Sequence, residues 1–248
     1  MNTRLHRRGE RTDAKFVAEG DLVVMRALEV GHVPELIICD EAALPTLEGI
    51  GDHLSTATVV TADEATRKAA TGLGVALPIV ALFPKPPLVD HSELIARNDR
   101  IIILSQVDNP TNVGAIVRSA AAFGFTGLVL DGESSDPFAR RALRVAMGTT
   151  FQLDIARTGD AEELFATLRS SGFESYAMTP ASDAVDLSGV KAGRRVALVL
   201  GSERDGLSDD WMRLAGHRVR IPMAAGVDSL NVAAAAAVAC YGLTRRNG

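Results

Sequence analysis

Short apolar runs and longer segments with helical periodicity alternate along this chain. Apolar runs bounded by turn residues favour buried strands, and apolar positions three or four residues apart favour helices with one face against a core. In the first third of the chain this pattern predicts a helix at 21–30 ended by Gly31, strands at 36–39, 57–61 and 77–83, and a helix at 63–70 capped by Asp63. We therefore expect a small α/β unit there.

The alternation is stricter from residue 101 onward. Strands are predicted at 101–104, 127–130, 151–155, 175–178, 196–200 and 219–221. Helices are predicted at 112–123, 138–147, 161–170 and 209–215, the last capped by Ser208, with a closing helix that begins at Asp228 or Ser229. Strands separated by helices predict a mostly parallel sheet with both faces covered. The expected fold class is α/β.

A change of composition separates these two regions. Pro84, Pro86 and Pro87 close the third predicted strand, and the polar residues 90–100 that follow read as a linker. We predict a boundary near residue 93, with an N-terminal domain at 1–93 and a C-terminal domain at 94–248.

Composition excludes a membrane protein of the helical class. Hydrophobic residues make up 47% of the 248 residues, yet no apolar run approaches the roughly 18 residues that a membrane span needs. Residues 1–15 are basic and polar, without the apolar segment of a secretory signal. We expect a cytoplasmic protein.

Cysteine and histidine usage gives no sign of a metal site. Cys39 and Cys240 lie far apart in apolar surroundings, which indicates two buried thiols rather than a disulfide. The five histidines show no ligand spacing. Neither a structural nor a catalytic metal is expected.

The net charge of −5 argues against a protein that holds nucleic acid through its overall field. Local charge would then have to bind phosphates. Two basic clusters are candidates: Arg4, Arg7, Arg8, Arg11 and Lys15 near the N-terminus, and Arg140, Arg141 and Arg144 after Pro137. Each is equally compatible with a solvated charged face.

The C-terminal stretch 219–243 has the best local chemistry for a binding site. Its sequence is VRIPMAAGVDSLNVAAAAAVACYGL. A strand is stopped by Pro222, passes through a loop with Gly226 and enters a helix, whose first N–H groups lack intrahelical partners. The alanines at 233–237 let another backbone approach closely. Any α/β domain contains such junctions, so this stretch alone decides nothing.

Two further stretches make a functional interpretation of this junction possible. They are DNPTNVGAIVRSA at 108–120 and LVLGSERDGLS at 198–208. In this order, the three stretches resemble motifs 1, 2 and 3 of the SpoU (TrmH) family of RNA ribose 2′-O-methyltransferases, in the SPOUT superfamily. No Gly-x-Gly-x-x-Gly follows any predicted strand, which disfavours a Rossmann-type site.

The resemblance implies a C-terminal SPOUT domain with a deep trefoil knot, which is an exception to the rule that chains are unknotted. It also implies that the smaller N-terminal α/β domain is L30e-like and helps to hold RNA, with residues 16–20 as its opening. Relatives are homodimers through the C-terminal domain, in which one subunit completes the other's site. Those properties are expectations for this chain.

The implied cofactor is S-adenosyl-L-methionine, bent and held mainly by main-chain groups of three loops. The matching residues are Thr179, Leu200, Gly201, Ile221, Met223, Ser229 and Leu230. A glycine at position 201 fits this role, because a residue without Cβ lets the backbone approach the adenosine closely.

Five polar residues match the family's catalytic positions: Asn112, Arg118, Glu203, Ser229 and Asn231. Asn112 would hold the ribose or a phosphate, or simply cap its helix. Arg118 would anchor the target phosphate, because a guanidinium fork matches phosphate oxygens and an arginine that keeps its proton cannot act as a base. Glu203 would orient these residues or accept a proton. The RNA contacts expected overall are Arg7, Arg8, Arg11, Arg118 and Arg144.

Two positions depart from the family pattern. Ala233 and Ala146 stand where many relatives have serine, so two hydroxyls are missing near the expected site. We predict a 2′-O-methyltransferase for structured RNA, and the N-terminal domain favours ribosomal over transfer RNA. The alternative is a non-catalytic RNA-binding or ribosome-assembly protein that keeps the fold. The acidic net charge and the missing hydroxyls favour this alternative, and the five polar residues favour the enzyme.

Overall fold

The chain folds into two compact units, one of which is built from two separate stretches of sequence. The computed structural model describes residues 14–49, 54, 56–72 and 74–244. Of these described residues, the first unit contains those up to residue 87 together with 136–151, and the second contains 88–135 and those from 152 onward. This division differs from the predicted boundary at residue 93, which assigned 136–151 to the C-terminal domain.

The elements up to residue 104 are β1 (Lys15–Glu19), α1 (Asp21–Glu29), β2 (Leu36–Cys39), α2 (Leu44–Glu48), β3 (Thr58–Thr61), α3 (Glu64–Thr71), β4 (Ile79–Pro84), α4 (His91–Arg97) and β5 (Arg100–Leu104). Those that follow are α5 (Pro110–Ala122), β6 (Gly127–Leu130), α6 (Arg140–Ala146), β7 (Asp154–Arg157), α7 (Ala161–Ser170), β8 (Glu174–Met178), β9 (Val185–Asp186), β10 (Val196–Leu200), α8 (Asp209–Leu214), β11 (His217–Arg220) and α9 (Val232–Thr244).

The first unit contains a four-stranded mixed sheet in the order β1-β4-β2-β3. Strand β4 is antiparallel to both β1 and β2, and β2 is parallel to β3. The three strands predicted from apolar runs are present, and Asp63 caps α3 by accepting a hydrogen bond from the Thr66 N–H, 2.8 Å away. Strand β1 was not predicted from the sequence.

Residues 136–151 complete the core of this first unit. The rings of Phe138 and Phe151 lie 5.3 and 5.6 Å from the ring of Phe16 on β1. Arg140 and Arg144, on α6, both pair with Glu19, whose side chain is fully buried. A buried carboxylate is tolerated only when it is paired, so α6 is held to β1 by charge as well as by apolar packing.

The second unit is organised around a seven-stranded parallel sheet in the order β7-β6-β5-β10-β8-β11-β9. Every strand pair in it is parallel. The central strands β5 and β10 are almost wholly buried along their length, as expected for a sheet that helices cover on both faces. The predicted parallel α/β sheet is therefore correct.

Two predicted elements of this unit differ from the structure. The expected linker at 90–100 contains the helix α4, which Asp90 caps and whose Leu94 and Ile95 are fully buried. The strand expected at 151–155 is β7, shifted to Asp154–Arg157, because Phe151 belongs to the core of the first unit. The polar residues at 90–100 suggested a linker and the apolar Phe151 suggested a strand, but tertiary packing decided both segments differently.

Within the ranges that the structure describes, no helix is long and apolar enough to span a bilayer. Those ranges also contain no group of three His, Cys, Asp or Glu side chains placed to hold a metal ion. Cys39 and Cys240 are free and buried, as predicted. Burial raises the pKa of the Cys240 thiol to about 12, so this thiol is not a nucleophile at neutral pH.

Candidate active site

Three loops of the second unit meet at one edge of its sheet. They follow β8, β10 and β11, and these strands lie side by side in the order β10-β8-β11. Because neighbouring parallel strands end at the same edge, residues far apart in sequence come together there. The loops close around a single cavity, which was the central structural expectation from the three motifs.

This cavity has a volume of about 250 Å³. Its walls are mainly apolar, and the polar residues among them include Thr179, Ser202 and Ser229. Apolar walls with a few polar groups are typical of small-molecule sites. All seven residues predicted to bind the cofactor line it: Thr179, Leu200, Gly201, Ile221, Met223, Ser229 and Leu230. Their role toward a cofactor stays a prediction.

The loop after β10 is a tight hairpin. The backbones of Ser202 and Gly206 exchange two hydrogen bonds of 3.0 and 3.1 Å, and the Ser202 hydroxyl accepts a third, 3.0 Å long, from the Asp205 N–H. A Cβ added at Gly201 would lie 2.2 Å from the carbonyl carbon of Gly206 and 2.3 Å from the Leu207 nitrogen. Gly201 is thus required by the closure of its own loop, whereas the sequence suggested a close approach of adenosine.

Three of the five predicted catalytic residues form one hydrogen-bonded network. Asn112, on α5, is 9% exposed, and its Nδ2 donates to Oε1 of Glu203. The Nδ2 of Asn231 donates to Oδ1 of Asn112 over 3.2 Å. Glu203 also lines the cavity, so the network reaches the cavity wall.

The closing helix fixes the direction of this network. Oδ1 of Asn231 accepts hydrogen bonds from the N–H groups of Ala233 and Ala234, at 2.9 and 3.4 Å, so Asn231 is the N-cap of α9. Its Nδ2 must then point to the acceptor oxygen of Asn112, which leaves the Asn112 Nδ2 to face the Glu203 carboxylate. One helix cap therefore orients two amides.

The predicted start of α9 was wrong, and the alternative role of Asn112 as a helix cap is not the one that the structure shows. Asn109, not Asn112, caps α5 by accepting a hydrogen bond from the Thr111 N–H, 2.9 Å away. Asn231, rather than Asp228 or Ser229, caps α9. The chain between Ile221 and Leu230 forms the cavity loop, so the helix begins later than the pattern of N-cap residues suggested.

Comparison with known proteins gives this geometry a family. The family model of the SpoU rRNA methylases matches residues 99–241, more than half of the chain and all three loops. The chain belongs to the SpoU rRNA methylase family. The resemblance seen in the three sequence motifs is therefore confirmed.

Relatives of this SpoU chain match it along almost its full length. A protein of Mycobacterium tuberculosis named as a tRNA/rRNA methyltransferase is 35% identical over 239 residues, which cover 94% of this chain and 81% of that protein. The 23S rRNA (guanosine(2553)-2′-O)-methyltransferase RlmP of Bacillus subtilis is 28% identical over 97% of this chain and 93% of its own length.

The solved structure of an AdoMet-bound rRNA methyltransferase from Sinorhizobium meliloti is similar to this chain with a TM-score of 0.84. It is 27% identical, and the match covers 97% of this chain and 90% of that one. The mixed α/β fold with its large parallel sheet is thus that of SPOUT methyltransferases.

The remaining predicted site residues of this SpoU chain do not all lie at the cavity. Ser229 lines the cavity, whereas Arg118 is exposed on α5 and is not among the residues that line it. Arg144 is part of the Glu19 cluster in the first unit. Arg7, Arg8 and Arg11 lie outside the described residues.

The cavity also contains polar residues that were not predicted from the sequence to act there. Ser202, Arg204 and Asp205 line it, all on the hairpin after β10. Their position inside the second motif was a usable signal, since Gly201 and Glu203 on either side of Ser202 were both predicted site residues.

Proposed function

We propose that this SpoU protein is an S-adenosyl-L-methionine-dependent RNA methyltransferase that modifies a ribose 2′-hydroxyl of ribosomal RNA. The observation that carries the proposal is the cavity of the three loops with the Asn112–Glu203–Asn231 network at its wall. The names of the relatives, several of them 23S rRNA 2′-O-methyltransferases, support the same substrate and position.

The cavity fits the cofactor. Met178, Leu200, Ile221 and Leu230 offer apolar surface to an adenosine, and the Gly201 hairpin brings backbone groups to the cavity wall. When bound, S-adenosyl-L-methionine supplies an activated methyl group. The chain's contribution is to enclose that group in a defined place, because positioning accounts for much of the rate in such transfers.

The polar network would receive the acceptor ribose. Glu203 Oε1 is occupied by the Asn112 amide, and Oε2 has no partner among the described residues. That oxygen is available to accept a hydrogen bond, and then a proton, from a 2′-hydroxyl. Ser229, with its side chain at the cavity wall, would hold the same ribose, and Asn231 would position Asn112.

Arg118 would anchor a phosphate of the RNA. Its guanidinium is exposed and makes no ion pair with any residue that the structure describes. It lies six residues after Asn112, about 9 Å along α5 and about 120° around it, so the two side chains leave different sides of the helix. A second subunit would place Arg118 at its partner's cavity.

A homodimer through the C-terminal unit is therefore part of the proposal. Val238 and Tyr241 are 43% and 52% exposed on α9, and α9 packs against α5. Apolar side chains left exposed on a helix next to Arg118 suit an isologous contact. We further propose that the chain threads the knot of SPOUT enzymes and acts in the cytoplasm.

The first unit would be an L30e-like RNA-binding domain. Its mixed sheet and helices form a separate compact unit, as such a domain requires. Arg7, Arg8, Arg11 and Arg144 are its proposed RNA contacts, although Arg144 already pairs with Glu19. A substrate-holding domain of this kind favours ribosomal RNA, whose structured regions present the acceptor, over transfer RNA.

The test is methyl transfer from tritium-labelled S-adenosyl-L-methionine to ribosomal RNA from cells that lack the gene. We expect incorporation at one ribose 2′-position, mapped by comparison with RNA from cells that have the gene. Glu203→Gln, which keeps the size of the side chain but loses the proton acceptor, should reduce transfer at least tenfold, since general bases contribute about 10²- to 10⁴-fold.

Cofactor binding measured in parallel separates the enzyme from its alternative. A protein that binds S-adenosyl-L-methionine and ribosomal RNA but transfers no methyl group would be the non-catalytic RNA-binding protein. Incorporation into a base instead of a ribose would contradict the proposed role of the polar network.

A further inference from the structure

Arg204 is presented at the tip of the rigid hairpin after β10. The two Ser202–Gly206 backbone hydrogen bonds close the hairpin below it, and the Ser202 hydroxyl holds the neighbouring Asp205 N–H. Arg204 is exposed and lines the cavity. Its backbone is thus fixed while its side chain remains free to meet a ligand from solvent.

The charge of Arg204 is not compensated by any described residue. Of the described residues that line the cavity, it alone carries a positive charge. Most other described arginines of the second unit pair with a carboxylate: Arg97, Arg194, Arg195, Arg213, Arg218 and Arg220. Arg204 makes no hydrogen bond or ion pair with its described surroundings.

The carboxylates on either side of Arg204 form no ion pair with it in the described structure. Glu203 is held by the Asn112 amide on one oxygen, and the proposed acceptor hydroxyl would use the other. Asp205 forms no ion pair within the described part of the chain. An arginine that faces a binding cavity without a protein anion is suited to an anion of the ligand.

In RNA, a phosphodiester anion lies next to the 2′-hydroxyl that would accept the methyl group. The 2′-hydroxyl and the 3′-phosphodiester are attached to neighbouring carbons of one ribose. A ribose whose 2′-hydroxyl meets Glu203 therefore has its 3′-phosphate only a few ångströms away, within reach of an arginine side chain on the next residue. We infer that Arg204 binds the phosphodiester on the 3′ side of the methylated nucleotide.

This inference rests on the proposed function and adds a substrate contact to it. Arg204 and Arg118 would bind different phosphates, because Arg118 does not line the cavity of its own chain. The cofactor's carboxylate is the other anion near this cavity. The exposure of Arg204 favours the phosphodiester, which arrives from solvent, over a group enclosed within the loops.

The experiment compares Arg204→Ala and Arg204→Lys with Arg213→Ala, an exposed arginine on α8 that pairs only with Asp210. Methyl transfer to ribosomal RNA lacking the modification is measured at saturating cofactor, and cofactor affinity is measured on the protein alone. We expect Arg204→Ala to lower kcat/KM for RNA about 10- to 100-fold, the size of one hydrogen bond to a charged group.

The salt dependence identifies the partner as a phosphate. Loss of one phosphate contact should make the slope of log affinity for RNA against log salt shallower by about 0.7 to 0.9 in Arg204→Ala. Arg204→Lys, which keeps the charge, should retain most of that slope while losing the paired hydrogen bonds of the guanidinium. Arg213→Ala should change neither kcat/KM nor the slope.

Three outcomes would overturn the inference. Weaker cofactor binding with an unchanged salt slope would assign Arg204 to the cofactor's carboxylate. Unchanged RNA kinetics in an active enzyme would make it a surface residue while leaving the proposed reaction intact. A wild-type protein that transfers no methyl group would instead contradict the reaction, and with it the acceptor ribose.

Discussion

At the scale of single residues, the structure shows why particular residues are needed at the predicted site positions. Gly201 was predicted from its motif, but the space its missing Cβ leaves is filled by the backbone of Gly206 and Leu207. Asn112 was predicted as a ribose contact or a helix cap. It does not cap its helix but is the middle member of a network whose direction is set by Asn231, and the ribose contact stays a prediction.

Replacing Gly201 by alanine should damage the cofactor site through the hairpin. The new Cβ would meet backbone atoms at 2.2 to 2.3 Å, so the hairpin at 201–206 must open. We expect cofactor affinity to fall at least tenfold and transfer to be lost, with the sheet core retained. Isothermal titration with S-adenosyl-L-methionine and far-UV circular dichroism would measure both.

The matched control is Gly189→Ala, at a position in the same unit where an added Cβ meets nothing within 4 Å. Near wild-type cofactor affinity in Gly201→Ala would show that the hairpin tolerates opening and that closure of the loop does not require a glycine at this position.

At the scale of elements, the ends of helices were harder to predict than their bodies. Asp63 and Ser208 cap α3 and α8 as predicted. The cap of α9 was misplaced because the preceding loop contains several good N-cap residues, and only the cavity loop's path decides which one is used. Asn231 consequently has two functions, as cap of α9 and as donor to Asn112.

Two substitutions at Asn231 separate these functions. Serine is about as good an N-cap as asparagine, so Asn231→Ser should keep the stability of α9 but lose the amide that orients Asn112. Asn231→Ala loses both, and its free energy of unfolding should fall by about a further 1 kcal/mol. Urea denaturation would measure this difference.

Activity should respond equally in the two variants. Both lose the hydrogen bond to Asn112, and one such bond is worth about 1 kcal/mol, or roughly a fivefold loss of kcat. If Asn231→Ser retained full activity while Asn231→Ala did not, helix capping alone would explain the requirement for this residue.

At the scale of the whole molecule, the first unit depends on a segment taken from the middle of the sequence. Residues 136–151 supply Phe138 and Phe151 to its core and two arginines to the buried Glu19. A truncation at residue 93 would remove the partners of this segment. Substitutions inside the first unit are therefore the cleaner test of its role.

Arg144→Ala should lower the stability of the first unit, whether or not Arg144 also binds RNA. Arg144 Nη1 lies 3.0 Å from Glu19 Oε2, and the carboxylate is fully buried while Arg140 holds its other oxygen. With Arg140 still in place, we expect a loss of about 1–2 kcal/mol in the free energy of unfolding, in the range of one hydrogen bond to a charged group. Denaturant unfolding measures it.

Glu19→Gln provides the comparison. It should lower stability by a similar amount while leaving Arg144 present for RNA. If Arg144→Ala weakens RNA binding and Glu19→Gln does not, Arg144 contacts RNA in addition to pairing with Glu19. Unchanged stability in both variants would contradict the structural role described for this cluster.

The sequence alone determined the alternation of strands and helices and the parallel sheet of the second unit, because hydrophobic periodicity and glycine or proline placement are local properties of the chain. The residues of the three loops came from the resemblance of its motifs to the SpoU family. Only the tertiary structure decided that 136–151 joins the first unit, that Asn231 directs Asn112 toward Glu203, and that Arg204 faces the cavity unpaired. Those facts depend on contacts between residues far apart in sequence, which no local pattern records.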